Sequence, residues 1–296
     1  MDKKGVIFAT LAVLTVNAFA QTAFKYLTDS LAVLRYWRDH DIVEITDFEY
    51  NGENALWGAF LEPGKSVSQN LRFDAGVEYL MLAAADTTRT EIHLKVYQGQ
   101  GAGGTVITKD RAYNAMPIAR FKPSESGWHC FELINASDKP AFVSMIILKQ
   151  KKNANFSLAA LNEANIKFSS LSPYLASLFP KSGITANKWT LFGGSIREGS
   201  AAGLLNVQLP RATMANNYAL VGVGENSLND CDVEIIEQYA ADNQDGRKNA
   251  QNTNSRFPYD YMVFSPNTPK HHYLKVINKS SRGESAFMFG FLVSAQ

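Results

Sequence analysis

The chain has 296 residues, of which 46% are hydrophobic and 19% are charged, and its formal charge is +1. This length and composition are normal for a globular protein and are sufficient for two hydrophobic cores. Because acidic and basic residues are balanced, the sequence lacks the basic surface that nucleic-acid binding requires and the basic helix of a membrane-surface protein. We therefore expect no nucleic-acid partner.

The first 20 residues have the three-part pattern of a secretory signal peptide. Lys3 and Lys4 give a positive start, residues 5–16 are apolar or small, and residues 18–20 read Ala-Phe-Ala, a cleavage motif. The apolar run is too short to cross a bilayer, and no later segment has 18 consecutive apolar residues, so we expect no transmembrane segment. The pattern predicts a periplasmic or secreted protein that starts at Gln21.

Two later segments are predicted to be helical, one before each half of the remaining chain. Residues 22–40 carry apolar side chains at near-helical spacing. Residues 157–166 and 172–179 form a weaker helical pair, which we expect to be broken around Pro173. Between the two segments, residues 150–156 are polar and are predicted to contain a domain boundary.

The rest of the chain has the pattern of short β-strands separated by turns. Residues 91–97 alternate, with apolar side chains at 92, 94 and 96, which indicates a strand with one wet face. Residues 128–134 are rich in aromatic and aliphatic side chains, whereas residues 141–148 and 286–293 are apolar runs typical of buried strands. This spacing of strands and turns favours a sandwich or jelly roll over a parallel α/β sheet.

An internal repeat links the two halves. Residues 121–137 match residues 264–280 without a gap, at an offset of 143 residues and with six identical pairs. Shorter matches follow in the same order: residues 57–64 with 192–199, 78–82 with 217–221, 91–94 with 232–235, and 141–143 with 286–288. Because the offset changes only between these blocks, the insertions fall in loops, as expected for a duplicated domain.

A repeat of about 100 residues can bury its own core and has the usual size of a β-sandwich. We therefore predict a mainly β protein with two tandem β-sandwich or jelly-roll-like domains, each preceded by a short helical segment. The predicted boundaries are a signal peptide over 1–20, a first domain with its helix over 21–150, a linker and helical segment over 151–188, and a second domain over 189–296.

Glu225, Asp230 and Asp232 are the candidate metal ligands, in a polar loop that leads into a strand of the second half. Calcium prefers carboxylate oxygens that are close together, and alternating acids can supply them. The full EF-hand pattern is missing, and the equivalent loop at residues 86–91 keeps only its two end acids. A solvated polar loop is the alternative interpretation, and no other cofactor is predicted.

No catalytic set stands out. Cys130 lies in an apolar strand, where burial makes a thiol inert, and we expect Cys130 and Cys231 to be separate buried thiols. His271 and His272 are adjacent and would point to opposite faces of one strand, so they cannot chelate one metal from the same face. His129 and His272 match in the repeat, which predicts a shared packing role.

The order of these features resembles the bacterial pre-peptidase C-terminal domain. An apolar strand, an acidic loop, an Asp-Val-Glu-Ile strand, a long turn, a Phe-x-Pro motif and a strand ending in asparagine follow one another over residues 218–235 and 264–278. Residues 79–94 and 121–135 repeat the order more weakly. The resemblance implies a jelly-roll-like β-sandwich on secreted proteins, sometimes with calcium, that serves binding or export rather than catalysis.

These observations favour an exported, non-catalytic binding or envelope-associated protein whose partner is a protein or a glycan. One alternative is a secreted hydrolase with a site between the two domains that uses acids such as Asp230 and Asp232. Another is a structural subunit of a surface assembly, which would expose large apolar patches. The sequence does not identify the ligand.

Overall fold

The computed structural model describes residues 46–86, 90–110, 114–155, 157–177, 190–208, 217–238, 247–252, 259–265 and 271–295, together with two isolated helical positions, Asp29 and Ala32. The predicted signal peptide lies outside these residues, and so does the rest of the helix predicted over residues 22–40.

Strands account for most of the described chain, as the sequence predicted. The first half contains β1 (Thr46–Tyr50), a short 3₁₀ helix (Gly52–Asn54), β2 (Leu56–Leu61), β3 (Ser66–Phe73), β4 (Tyr79–Ala85), β5 (Ile92–Gln98), β6 (Val106–Lys109), β7 (Ile118–Phe121), β8 (Gly127–Asn135) and β9 (Ala141–Asn155). The second half contains helix α1 (Ala159–Ser177), β10 (Thr190–Arg197), β11 (Ala201–Gln208), β12 (Asn217–Gly224), β13 (Leu228–Gln238), β14 (Arg247–Asn252), β15 (Tyr259–Phe264), β16 (His271–Ser281) and β17 (Ser285–Ala295).

The described strands form one large antiparallel sheet and two small ones. The large sheet has nine strands, in the order β15-β12-β17-β10-β2-β9-β4-β7, with β1 paired to β9. The small sheets have four strands each, in the orders β3-β8-β5-β6 and β11-β16-β13-β14. The two halves of the large sheet have equivalent strand orders, counted outward from its centre, and the two small sheets also have equivalent orders. The two halves of the chain therefore have the same topology.

The large sheet is continuous across the two halves, because β2 pairs with β10. Phe192 lies opposite Trp57, Leu191 opposite Gly58, and Gly193 opposite Leu56. Since Trp57 matches Phe192 in the repeat, equivalent residues face each other, and a local two-fold axis passes through this pair. We call this β2–β10 pairing the seam.

Glycine is required at the seam by close backbone approach. A β-carbon at Gly58 would lie 2.9 Å from the carbonyl oxygen of Val143, and one at Gly193 would collide with the carbonyl oxygen of Met288. Gly58 and Gly193 are equivalent in the repeat, so the two halves meet the same steric limit at the same place.

Two buried cores lie on the two faces of the large sheet. The inner core packs this sheet against both small sheets and includes Trp57 and Phe131 from one half and Phe192 and Val276 from the other. The outer core includes Phe142, Phe289 and Phe291 together with the apolar face of α1. The inner core is shared by both halves, and this gives the sandwich-like layering that was predicted.

The strand patterns agree with the sequence analysis. In β5, Ile92, Leu94 and Val96 are buried while His93 and Lys95 are partly exposed. The apolar run at residues 141–148 is buried throughout. However, residues 151–155 continue β9, where Asn155 pairs with Thr46 of β1, so the polar segment predicted to link the halves begins as a strand.

Helix α1 is continuous, whereas the sequence predicted two pieces broken around Pro173. The helix runs from Ala159 to Ser177 and includes position 173. One proline removes a single main-chain hydrogen bond, and packing of the preceding turns on the sheet can offset that loss. No helix within the described residues is long and apolar enough to span a membrane.

Asn165 lies on the buried face of α1, beside Ala164, and should be a weak point of the helix–sheet contact. Its side-chain oxygen Oδ1 is buried without a hydrogen-bond partner. Asn165→Leu should therefore raise the free energy of unfolding by roughly 1 kcal/mol, because it removes an unsatisfied polar atom and favours helix. Urea unfolding measures this change. Ser169→Leu, at an exposed position of the same helix, separates helix propensity from burial, and an equal gain in both variants would contradict the prediction.

Candidate functional site

A surface cleft opens between the two small sheets, where each presents a terminal strand, β3 on one side and β11 on the other. It encloses about 200 Å³. Four consecutive residues of β3, 69–72, line it. Because neighbouring strand residues point to opposite faces, a run of four shows that the open edge of β3 borders the cleft. Asn54, from the 3₁₀ helix before the seam, also contributes.

The β3 side of the cleft combines a guanidinium group with an indole ring. Arg72 and Trp128 are cross-strand partners, and the guanidinium carbon lies 5.8 Å from the ring centroid. Arg72 is exposed and Trp128 is partly exposed. Contact with the ring holds the cation without neutralising it.

Asn70 adds an oriented amide to the same side. Its Oδ1 accepts a hydrogen bond of 2.9 Å from the main-chain N–H of Gly101. This hydrogen bond orients the amide, and the NH₂ group of Asn70 can donate to a ligand. The β3 side can therefore offer a ring face, a cation and a hydrogen-bond donor.

The opposite side of the cleft is formed by Ala201, Gly203 and Tyr273. A β-carbon at Gly203 would collide with the Tyr273 ring, so glycine makes room for the ring beside β11. The ammonium group of Lys275 lies 4.9 Å from the centroid of that ring and 3.4 Å from a carboxylate oxygen of Glu234.

Burial raises the pKa of Tyr273, and the negative charges of Glu234 and Glu53 raise this pKa further. The phenol therefore keeps its proton at neutral pH and can act as a hydrogen-bond donor in the cleft.

The two halves contribute different chemistry to the cleft. In the repeat, Trp128 matches His271 and Tyr273 matches Cys130. Cys130, the counterpart of Tyr273, is buried. Gly101, in the loop after β5, donates its main-chain N–H to Asn70. The aromatic rings thus come from non-equivalent positions, and the local two-fold symmetry does not produce two copies of one site.

Glu225, the first calcium candidate, follows β12 and is part of a structural contact. Its Oε1 accepts a hydrogen bond of 2.7 Å from the N–H of Phe287. Asp86, its equivalent in the first half, accepts one of 3.1 Å from Phe142. This shared contact explains an acid at both positions without a metal.

Asp230 and Asp232, the other two candidates, lie in β13, which pairs with β16, and neither side chain lines the cleft. Asp230 sits at an irregularity of the β13–β16 pairing. Asp232 is buried, which raises its pKa, and its Oδ2 lies 3.7 Å from the ammonium group of Lys279, beyond hydrogen-bond distance. Within the described residues, no three His, Cys, Asp or Glu side chains are arranged to hold a metal ion. Calcium binding stays a prediction.

Asp260 of β15 was not singled out by the sequence analysis. It is 2% exposed, and its two oxygens accept hydrogen bonds from the N–H groups of Val233 (3.2 Å) and Tyr261 (2.8 Å). Burial raises the pKa of Asp260 to about 7, and these two hydrogen bonds oppose the increase. A single acid in an alternating strand gives no sequence signal for this role.

The cysteines and the matched histidines occupy structural positions. Cys130 and Cys231 are both buried and free. His129 and His272 are also buried, and their ring centroids lie 6.4 Å from Phe121 and 6.5 Å from Phe264, respectively. The matched histidines therefore have the same aromatic neighbour in both halves.

The cleft itself was not predicted from the sequence, because Trp128 was considered only as part of an aromatic- and aliphatic-rich strand. The usable signal was the position of Trp128 in β8. It alternates with the core residues His129 and Phe131 and therefore belongs to the outer face.

Comparison with known proteins found weak similarity to solved structures. No protein-family model matches the chain, and no curated protein matches it. Among solved structures, it resembles the pre-peptidase C-terminal domain of a collagenase from Bacillus anthracis, with 8% identity, a TM-score of 0.28, and coverage of 32% of this chain and 90% of that one.

Two other solved structures show a similar degree of likeness. One is PliG of Aeromonas hydrophila, a periplasmic inhibitor of g-type lysozyme, with 13% identity, a TM-score of 0.27, and coverage of 34% of this chain and 89% of that one. The other is a low-affinity xylan-binding module from Roseburia intestinalis, with 18% identity, a TM-score of 0.24, and coverage of 36% and 89%. A pre-peptidase C-terminal domain, the family that the sequence resembles, is thus among these weakly similar structures. The mainly β fold class that was predicted is given by the described strands.

Proposed function

We propose that this is an exported, non-catalytic binding protein, periplasmic or secreted, and that it binds a glycan in the cleft between its two small sheets. The cleft with Trp128 on one side and Tyr273 on the other is the observation that carries the proposal. A duplicated β-sandwich unit whose two copies then diverged accounts for the repeat, and the domain boundaries predicted from the sequence belong to this proposal.

The chemistry of the cleft suits a sugar better than an apolar ligand. Aromatic faces pack against the C–H groups of a sugar ring, while amides and a phenol can pair with its hydroxyl groups. A cavity of about 200 Å³ has the size of one ring, which is smaller than the roughly 300–1,000 Å³ typical of pockets for drug-sized ligands. A longer glycan would extend from the cleft along the open edge of β3.

The alternative of a hydrolase has less support from this geometry. That hypothesis placed Asp230 and Asp232 in a site between the halves, but neither of these side chains lines the cleft. None of the described side chains that line the cleft is a carboxylate. The alternative of a structural subunit expected large apolar patches, whereas the exposed large apolar residues of the described chain are Val106, Ile107, Ile166 and Val263.

Removing either ring should weaken glycan binding while the protein stays folded. We expect Trp128→Ala and Tyr273→Ala each to weaken binding by at least about tenfold, which corresponds to about 1.4 kcal/mol. Isothermal titration calorimetry against a panel of neutral and acidic soluble polysaccharides measures the change.

Val263→Ala is the control, since it removes an exposed side chain from β15, at the end of the large sheet. It should leave the affinity unchanged, and the melting temperature of each variant reports whether it has folded. If the parent protein binds no polysaccharide of the panel, or if the two ring variants bind as well as the parent, the proposed site is wrong.

A further inference from the structure

Resting on the proposed function, we infer that the ligand is an acidic polysaccharide and that Arg72 binds a carboxylate on its sugar ring. The inference starts from the state of Arg72. Within the described residues, no carboxylate pairs with it, and its described contact is the indole ring of Trp128.

Arg120 shows what an arginine on these sheets does when an acid is available. Its Nε and one terminal nitrogen donate to the two carboxylate oxygens of Glu78, at 2.6 and 3.1 Å. This is the planar, two-bond contact that guanidinium groups make with carboxylates. Arg72 has the same donors at the mouth of a cleft, and no acceptor in the described part of the chain occupies them.

The position of Arg72 on Trp128 prepares both groups for one ligand. Contact with the indole restricts the guanidinium group but leaves donors on its edge available. A sugar ring that packs on the exposed part of Trp128 would carry its ring substituents toward the neighbouring guanidinium group. A carboxylate on that ring can then accept two hydrogen bonds from Arg72.

The charge of the cleft points to one negative group per ring. Arg72 is the one lysine or arginine among the described residues that line the cavity, and none of these residues is an acid. Lys275, which lies against the Tyr273 ring, is paired with Glu234. A single cation matches a single carboxylate, whereas a phosphate dianion would leave excess negative charge in the cleft. The neutral polar lining at Asn54, Gln69 and Asn70 suits the hydroxyl groups of the same ring.

The test compares each acidic polysaccharide with its own neutral form. Polygalacturonate, alginate and hyaluronate are titrated into the full chain, beside the same polymers after reduction of their carboxylates to alcohols. We expect at least one acidic polymer to bind about tenfold or more tightly than its reduced form. Arg72→Gln should abolish this preference, and Arg72→Lys should restore only part of it, since lysine keeps the charge without the two-bond geometry.

Lys65→Gln is the matched control, because it removes an equal charge from an exposed position just before β3 that does not line the cavity. It should preserve the preference. A preference lost equally in Lys65→Gln and Arg72→Gln would mean long-range attraction and would overturn the inference.

The remaining outcomes separate the inference from the proposed function. If acidic and reduced polymers bind equally well and Trp128→Ala weakens both, the glycan site stands and the role of Arg72 is wrong. If dextran sulfate binds more tightly than every carboxylated polymer, the anion is misassigned. If poly-glutamate binds with the same dependence on Arg72 and no polysaccharide does, the ligand is an acidic peptide, and both proposals fail.

Discussion

Asn135→Ala should be strongly destabilising, and Asn278→Ala should be less so. Both asparagines lie in equivalent strands, β8 and β16, are fully buried and belong to the matched positions of the repeat. Alanine at either position removes the side-chain donor to a buried main-chain carbonyl group, that of Leu61 or that of Ile196. We therefore expect losses of roughly 3–4 kcal/mol for Asn135 and roughly 2 kcal/mol for Asn278.

The larger loss at Asn135 follows from its hydrogen bonds. Its Nδ2 donates to the carbonyl oxygens of Leu61 (3.1 Å) and Lys139 (2.7 Å), and its Oδ1 accepts from the N–H and hydroxyl groups of Ser137. One side chain thus fixes the turn after β8 and bonds to the end of β2. Removing it leaves several polar groups unsatisfied at once.

Asn278 makes only part of this network. Its Nδ2 donates to the carbonyl oxygen of Ile196 (2.8 Å) and to the hydroxyl of Ser281 (3.2 Å), but its Oδ1 has no hydrogen-bond partner. Loss of the side chain therefore removes fewer bonds and also removes one unsatisfied oxygen. This difference gives the expected order of the two variants.

Urea unfolding of the two variants, with Asn226→Ala as a control, tests this order. Asn226 is exposed in the turn after β12, and its replacement should change the free energy of unfolding by less than about 0.5 kcal/mol. Equal losses for Asn135→Ala and Asn278→Ala would show that the hydrogen-bond network does not set the cost.

The repeat was predictable because its matched residues perform the same local tasks. Asn135 bonds to Leu61 as Asn278 bonds to Ile196, and Leu61 and Ile196 are themselves matched. Tyr79 packs on Phe121, and Tyr218 packs on Phe264, each pair with 5.7 Å between ring centroids. Because each of these contacts lies within one copy, both copies keep the same residue types at the matched positions, and the repeat is visible in the sequence.

The seam could not be predicted in this way. Pairing of β2 with β10 joins the copies, but the alternation of apolar residues around Trp57 and Phe192 does not indicate which strand lies beside either residue. Strand periodicity reports the face on which a residue lies, not its neighbour across the sheet. The cleft depends on that pairing, because the seam determines that β3 and β11 border it. The position of Asp230 and Asp232 in β13 was likewise not predicted, because the sequence analysis placed both residues in a loop.

The stability of the protein should fall between about pH 4 and pH 7 because of Asp260. In the unfolded chain an aspartate releases its proton near pH 3.9, whereas burial raises the folded pKa of Asp260 to about 7. Over this interval the folded state holds a proton that the unfolded state has lost. The contribution of Asp260 is therefore complete below about pH 4 and is lost as the pH rises through about 7.

For one group, the free energy of unfolding can fall by about 1.4 kcal/mol per pH unit, and its total loss is on the order of a few kcal/mol. Asp232 acts in the same direction, because burial also raises its pKa. Asp260→Asn should flatten the profile, since the amide cannot ionise. The amide offers only one acceptor oxygen to Val233 and Tyr261, so this variant should also be less stable than the parent at pH 5.

Urea unfolding at pH 5, 6, 7 and 8 measures both profiles. Asp74→Asn, at an exposed position after β3, is the control and should keep the slope of the parent protein. Because the amide substitution costs the same stability at every pH while the parent loses stability as the pH rises toward 7, the difference in stability between Asp260→Asn and the parent should narrow from pH 5 to pH 7. Parallel profiles would show that the Asp260 carboxyl group titrates at the same pH in the folded and unfolded chains.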